Sequence, residues 1–164
     1  MPIRASQRFF YPIDWPELSR EIRFCRAGGA CERCGRPHGR RVRHLGARLV
    51  AGRAGLWWDR EGEGAWRCER GRLLEDGILA PPDALAARVL QPAFWAGLET
   101  PLVPVHESLV VLACCHLDHD PTNCADANLA ALCQRCHLAH DRADNLARRK
   151  AGRRQGEGIV PAML

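Results

Sequence analysis

The sequence predicts a single α+β domain, and three observations predict it. The run Val103–Cys115 (VPVHESLVVLACC) is apolar and β-branched, as a strand requires. Two segments carry helix patterns, one opening at Asp14 and one running from about Gln134 to Arg149. Two Cys-x-x-Cys turns, Cys31–Cys34 and Cys133–Cys136, bracket most of the chain between them. At 164 residues the chain can bury a core of its own, and its 46% hydrophobic and 26% charged fractions place it with globular proteins. No stretch approaches eighteen apolar residues, so no membrane span is expected, and the first fifteen residues lack the apolar core of an export signal. A cytoplasmic setting follows as an expectation. There, nine cysteines read as metal ligands and core residues sooner than as disulfides.

The elements follow in order. Asp14-Trp-Pro-Glu17 is a helix start, with an Asp cap, Pro in the first turn and Glu three residues after the cap. The helix is expected over 14–27, ending at Gly28-Gly29, with Leu18 and Ile22 on its apolar face and Cys25 in the core. Residues 39–101 form an insert with strands near Arg43–Val50, Leu56–Trp58 and Ala65–Cys68, and a short helix at Pro82–Leu90. Trp57, Trp58, Trp66 and Trp95 are read as packing residues, Cys68 as structural. The long strand at 103–115 delivers the chain to His116-Leu117-Asp118-His119, a loop follows, and a short strand at Leu129–Leu132 precedes the last helix. Residues 1–150 are read as one domain and 151–164 as a basic, mobile tail.

Charge is unevenly spread. Residues 1–60 carry +8, residues 61–140 carry −6 and residues 141–164 carry +3. Basic ends around an acidic middle suit a polyanion such as nucleic acid, gripped by the arginines at 36–53 and 142–154.

Residues 114–141 hold five cysteines, four histidines and four aspartates, too many for one metal site of about four ligands. Two sites resolve the excess. Cys31, Cys34, Cys133 and Cys136 form two knuckles that can grip one tetrahedral Zn²⁺, each turn aiming backbone N–H groups at sulfur. Asp118, His119, Asn128 and His137 remain as a second set. Asp120 is read as shaping the turn before Pro121, Cys114, Cys115 and Cys124 as core and loop, and His38, His44 and His106 as structural.

The order Asp118-His119 … Asn128-Leu129 … Leu132-Cys133-x-x-Cys136-His137, with CERCG at 31–35, resembles the HNH endonucleases, the ββα-metal nucleases. The subset it resembles carries a zinc knuckle on either side of the catalytic hairpin. The likeness covers Cys31–Cys34 and about residues 105–150, not the insert. It implies a treble-clef-like zinc core and metal-dependent DNA hydrolysis leaving 5′-phosphate ends, in a bacterial or phage setting. His119 would be the general base, Asp118 and His137 metal ligands, and Asn128 the residue that braces the loop and orients the His119 ring. The ion would be Mg²⁺ or another divalent such as Mn²⁺, Ni²⁺ or Zn²⁺. The third ligand stays open between Asp141, favoured by its i, i+4 spacing from His137, and His140. His116 is expected to share a strand face with Asp118, as ligand or as support. The rival reading is a zinc-stabilised nucleic-acid-binding module that does no cutting. A thiol redox protein is disfavoured, since neither Cys-x-x-Cys lies in a thioredoxin-like βαβ pattern.

Overall fold

The structure is a computed structural model that describes residues 5–47, 50, 53–60, 62, 64–75, 78–83, 86–90, 102–147 and 150. The tail 151–164, Trp95, Arg148 and Arg149 therefore lie outside the described residues. The fold is α+β, and all its strand pairs are antiparallel.

Chain order begins with a 3-10 segment at Ala5–Phe10, followed by α1 (Trp15–Arg20). A π-helical turn, Glu21–Arg26, continues α1 directly. The expected helix is present, then, but its second half is wound wider: the Ala27 N–H reaches the Ile22 carbonyl at 3.1 Å, five residues back. That change of pitch turns Cys25 outward, and it is exposed instead of buried in the core. Ile22 remains fully buried against Leu129 and Ala131. Asp14 sits at the cap position without a side-chain bond to the helix. At the other end, Gly28 (φ 57°) and Gly29 (φ 74°) take the left-handed turn the sequence anticipates.

The insert contributes β1 (Arg41–His44), β2 (Trp57–Asp59) and β3 (Ala65–Arg67), close to their expected places. Pro82–Leu90 departs from expectation. Its described part is not a helix: Asp83 accepts the Ala86 N–H at 2.6 Å, and Ala86–Arg88 form a strand, β4. The strand at 103–115 also departs, being three strands: β5 (Leu102–Pro104), β6 (His106–Leu109) and β7 (Leu112–His116). Each has a different partner, and the breaks fall where the partner changes. β5 pairs with β4, β6 with β1, and β7 with β8 (Leu129–Cys133). At the second break Gln134 caps both sides, accepting the Val111 N–H and donating to the Leu109 carbonyl.

The main sheet has the order β3-β2-β1-β6, so a strand of the insert pairs with one from the C-terminal half. The hairpin β7–β8 leads into α2 (Gln134–His140); a turn at Asp141 interrupts the helix, and helical geometry resumes over 142–147. One buried cluster gathers the four knuckle cysteines with Val42, Trp57 and Leu112. A second, under the insert, includes Leu45, Leu56, Trp66 and Cys68. Trp57 and Trp66 are packing residues at 2% and 3% exposure, and Cys68 is buried, as the sequence suggests.

Arg26 ties the N-terminal helix to the hairpin. Its guanidinium donates to the carbonyls of Asp126 (2.9 Å) and Leu129 (2.6 Å) and pairs with the carboxylates of Glu32 and Asp126, both at 3.0 Å. The side chain is partly exposed, which discounts the ion pairs more than the backbone bonds. Arg26→Met is therefore expected to lower unfolding free energy by about 1–2 kcal/mol, read as a reduced denaturant midpoint at unchanged slope.

Candidate metal centres

The first centre is built by two turns. Cys31 opens a tight knuckle in which Gly35 (φ 74°) lets its N–H reach the Cys31 carbonyl at 2.7 Å. Cys133 ends β8, and Cys136 follows in the first turn of α2. The four cysteines are 1–2% exposed, and their sulfurs lie within 4.8 Å of one another. Backbone bonds dock the two halves: Glu32 N–H to the Ala131 carbonyl at 3.0 Å, and Cys133 N–H to the Cys31 sulfur at 3.3 Å.

The geometry fits a metal. Tetrahedral Zn–S bonds of about 2.3 Å put neighbouring sulfurs about 3.8 Å apart, and the Cys34 and Cys133 sulfurs are 3.7 Å apart. No disulfide joins any of the nine cysteines. The neighbouring thiols hold Cys31 and Cys133 below the usual thiol range, Cys133 at about 6, and push Cys34 and Cys136 above it. Four buried sulfurs in such proximity are consistent with a structural zinc site.

The second set lies on the β7–β8 loop and α2. Asp118 is the hub of the loop. Its carboxylate accepts the Asn128 amide (2.9 Å), the Asp120 N–H (2.9 Å) and the Asn123 amide (2.7 Å), while its own N–H goes to the Asn128 carbonyl oxygen of the side chain (3.1 Å). Those bonds, the Asn128 amide first, hold the Asp118 carboxyl down at about 2. Asn128 braces the loop as expected, but its amide is engaged by Asp118 and the Asn123 carbonyl, not by the His119 ring. Asp120 shapes the next turn through Thr122.

His119 follows at φ 63°, the one non-glycine with positive φ among the described residues. That backbone presents its ring to the start of the turn at the end of α2. His119 Nδ1 is 3.6 Å from one Asp141 oxygen, and His137 Nε2 is 3.3 Å from the other. The His140 ring stacks on His119 with centroids 4.5 Å apart, and its buried Nε2 has no partner. His119, His140 and Asp141 place ligand atoms within 4.8 Å of one another, a second grouping able to hold a metal. Burial lowers the His137 pKa, and the Asp141 carboxylate opposes that shift.

The sequence-derived set is thus divided. His119, His140 and Asp141 group together, and His137 meets them through Asp141 while lying outside that grouping. Asp118 lies outside the grouping, its carboxylate used by the loop. His116 ends β7 instead of sharing a face with Asp118, which lies beyond the strand in the turn. It is buried, stacked on Trp15 at 4.9 Å, with Nε2 3.5 Å from the Cys124 sulfur. A separate cleft of about 540 Å³, lined by Arg53, Cys68, Glu69, Arg70, Arg72 and Glu75, opens on the insert and contains none of these residues. Sequence reasoning missed Arg36, counted among the basic surface residues yet only 4% exposed. No family model matches this chain, and it matches no curated protein and no solved structure.

Two outcomes are expected. Purified protein should hold about one Zn²⁺ per chain by metal analysis, and Cys133→Ser should lose it and unfold far more readily, because metal binding in such sites is coupled to folding. Separately, His119→Gly should be more stable than His119→Ala by about 1 kcal/mol in denaturant titration, since only glycine takes φ 63° without strain.

Proposed function

We propose that the protein is a metal-dependent HNH-type DNA endonuclease on a treble-clef-like ββα-metal core. The observation that carries the reading is the convergence of three imidazoles and one carboxylate at the junction of a β-hairpin and a helix, beside a four-cysteine cluster. Its sequence counterpart is the order Asp118-His119 … Asn128 … Cys133-x-x-Cys136-His137.

In this reading Asp141 and His140, with His137 alongside, would hold one divalent ion. When bound, the ion supplies positive charge against the scissile phosphate and its leaving oxygen. His119 takes the proton of the attacking water. Its Nδ1 faces Asp141, leaving Nε2 as the nitrogen open to that proton. The carboxylate then stabilises the imidazolium it faces. Asp118 and Asn128 act on the loop: their paired bonds fix the turn that forces His119 into its left-handed conformation. Asp118 therefore works on position, not on the ion.

The test is supercoiled plasmid incubated with Mg²⁺, Mn²⁺ or Ni²⁺, with and without chelator. Cleavage should require the ion. His119→Ala should slow it by roughly 10²–10⁴-fold while zinc content and DNA binding persist. Asp141→Asn should instead weaken the divalent-ion dependence, and Asn128→Ala should cost less than either. Wild-type protein that binds plasmid and leaves it intact with all three ions would return the chain to a zinc-stabilised binding module.

A further inference from the structure

Beside the cysteine centre, the junction between the main sheet and the first knuckle gathers donors without acceptors among the described residues. Arg36, two residues after Cys34, is 4% exposed, and its buried Nε and Nη2 have no hydrogen-bond partner. Its guanidinium lies over the Trp57 ring, 5.8 Å from the centroid, and the Trp57 Nε1–H is buried and unpartnered as well.

Register extends the cluster. His44 on β1 is the cross-strand partner of both Trp57 on β2 and His106 on β6, so the three side chains form one row on one face of the sheet. The His44 and His106 rings are 5.7 Å apart. His44 Nδ1 accepts the Gly46 N–H at 3.1 Å, which leaves the proton of the neutral ring on Nε2, a further donor. Arg135 from α2 approaches the same region, its guanidinium occupying the space a side chain at Gly55 would fill. Burial first, then the charges of Arg36, His106 and Arg135, push the His44 pKa down to about 4. Among the described residues, Glu69 pairs with Arg135 at 3.6 Å, and Glu107 alternates to the opposite face of β6 and pairs with Arg41 at 3.3 Å.

Buried N–H groups that meet no acceptor carry a desolvation cost, larger when they belong to a charged group. We infer that this row is a binding site for a phosphate dianion, with Arg36 and Trp57 as its buried floor and His44, His106 and Arg135 as its wall. The guanidinium fork offers two parallel N–H groups to two oxygens of one phosphate, and the remaining donors can serve the others. His106 is exposed and Arg135 partly so, which gives the site an outer edge. The dianion can arrive as inorganic phosphate or as the terminal phosphate of an oligonucleotide. The inference does not depend on the endonuclease reading, and its test involves no cleavage.

The experiment is thermal unfolding of the zinc-loaded full chain at constant ionic strength, with chloride as reference. Inorganic phosphate at a hundredfold excess over its Kd should raise Tm by roughly 5–10 °C, because a ligand bound only by the folded state stabilises it. In Arg36→Met that rise should vanish while zinc content stays at the wild-type value. Without phosphate the same variant should melt no lower than wild type, since it removes two orphaned buried donors. Trp57→Phe keeps the ring and removes one donor, so it should reduce the phosphate response several-fold. A 5′-phosphorylated oligonucleotide that protects where its unphosphorylated twin does not makes the terminal phosphate a source; protection by inorganic phosphate alone makes the free ion the ligand. The inference is overturned if phosphate and chloride give equal Tm, or if Arg36→Met keeps the full response.

Discussion

Everything in this fold hangs on four sulfurs that bring together two stretches of chain 99 residues apart between Cys34 and Cys133. Closing a loop of that length costs about 5 kcal/mol of chain entropy. A few backbone bonds between the knuckles do not offset it. Zinc bound by such a set contributes about 10–16 kcal/mol at neutral pH and can. The cluster therefore acts as the clasp of the core, and the hairpin β7–β8, the helix α2 and the N-terminal helix take their places around it. With zinc bound there, metal and fold would be one equilibrium, in a structure whose described strands are three to five residues long.

The histidine–aspartate centre inherits its geometry from that clasp. Cys136 anchors the first turn of α2, and one, four and five positions later come His137, His140 and Asp141. From the opposite side, the Asp118–Asn128 pair closes the hairpin loop and delivers His119. A left-handed backbone at a histidine costs of the order of 1–3 kcal/mol, and it is retained where the surroundings fix it. Here the fixing groups are the loop's own carboxylate and amides. Asp118, beside the histidine in the sequence, is thus the carboxylate that shapes the turn, while the one facing its ring comes from the turn after α2, twenty-two positions beyond His119.

Much of this was legible in the sequence because it rests on local chemistry. Paired Cys-x-x-Cys turns state their geometry directly, glycines mark the helix end, and a histidine and an aspartate four apart on a helix share a face. What was not legible depends on partners. The run at 103–115 looks like one strand because every residue in it suits a strand; only the three different neighbours divide it. Pro82–Leu90 reads as a helix from its opening Asp, but that carboxylate closes a turn into a strand. Cys25 was lost to the core by a change of pitch that no residue pattern announces. Arg36 looks like surface charge, and only the fold puts a tryptophan beneath it and leaves its Nε and Nη2 without an acceptor among the described residues.

The pairing of β1 with β6 bears on how this chain can vary in length. Along the sequence, residues 39–101 read as an insertion; across the sheet, they supply the strand neighbour that β6 has among the described residues, and β6 lies at that sheet's edge. Excising them would strip β6 of its ladder and leave open backbone groups, a template for pairing with other chains. The segment is therefore not modular. Growth or shrinkage is tolerated best at its turns, such as the one between β2 and β3, where loop length changes without altering register. A lineage that shortened the insert beyond those turns would need a new strand to cover β6, or would lose the edge altogether.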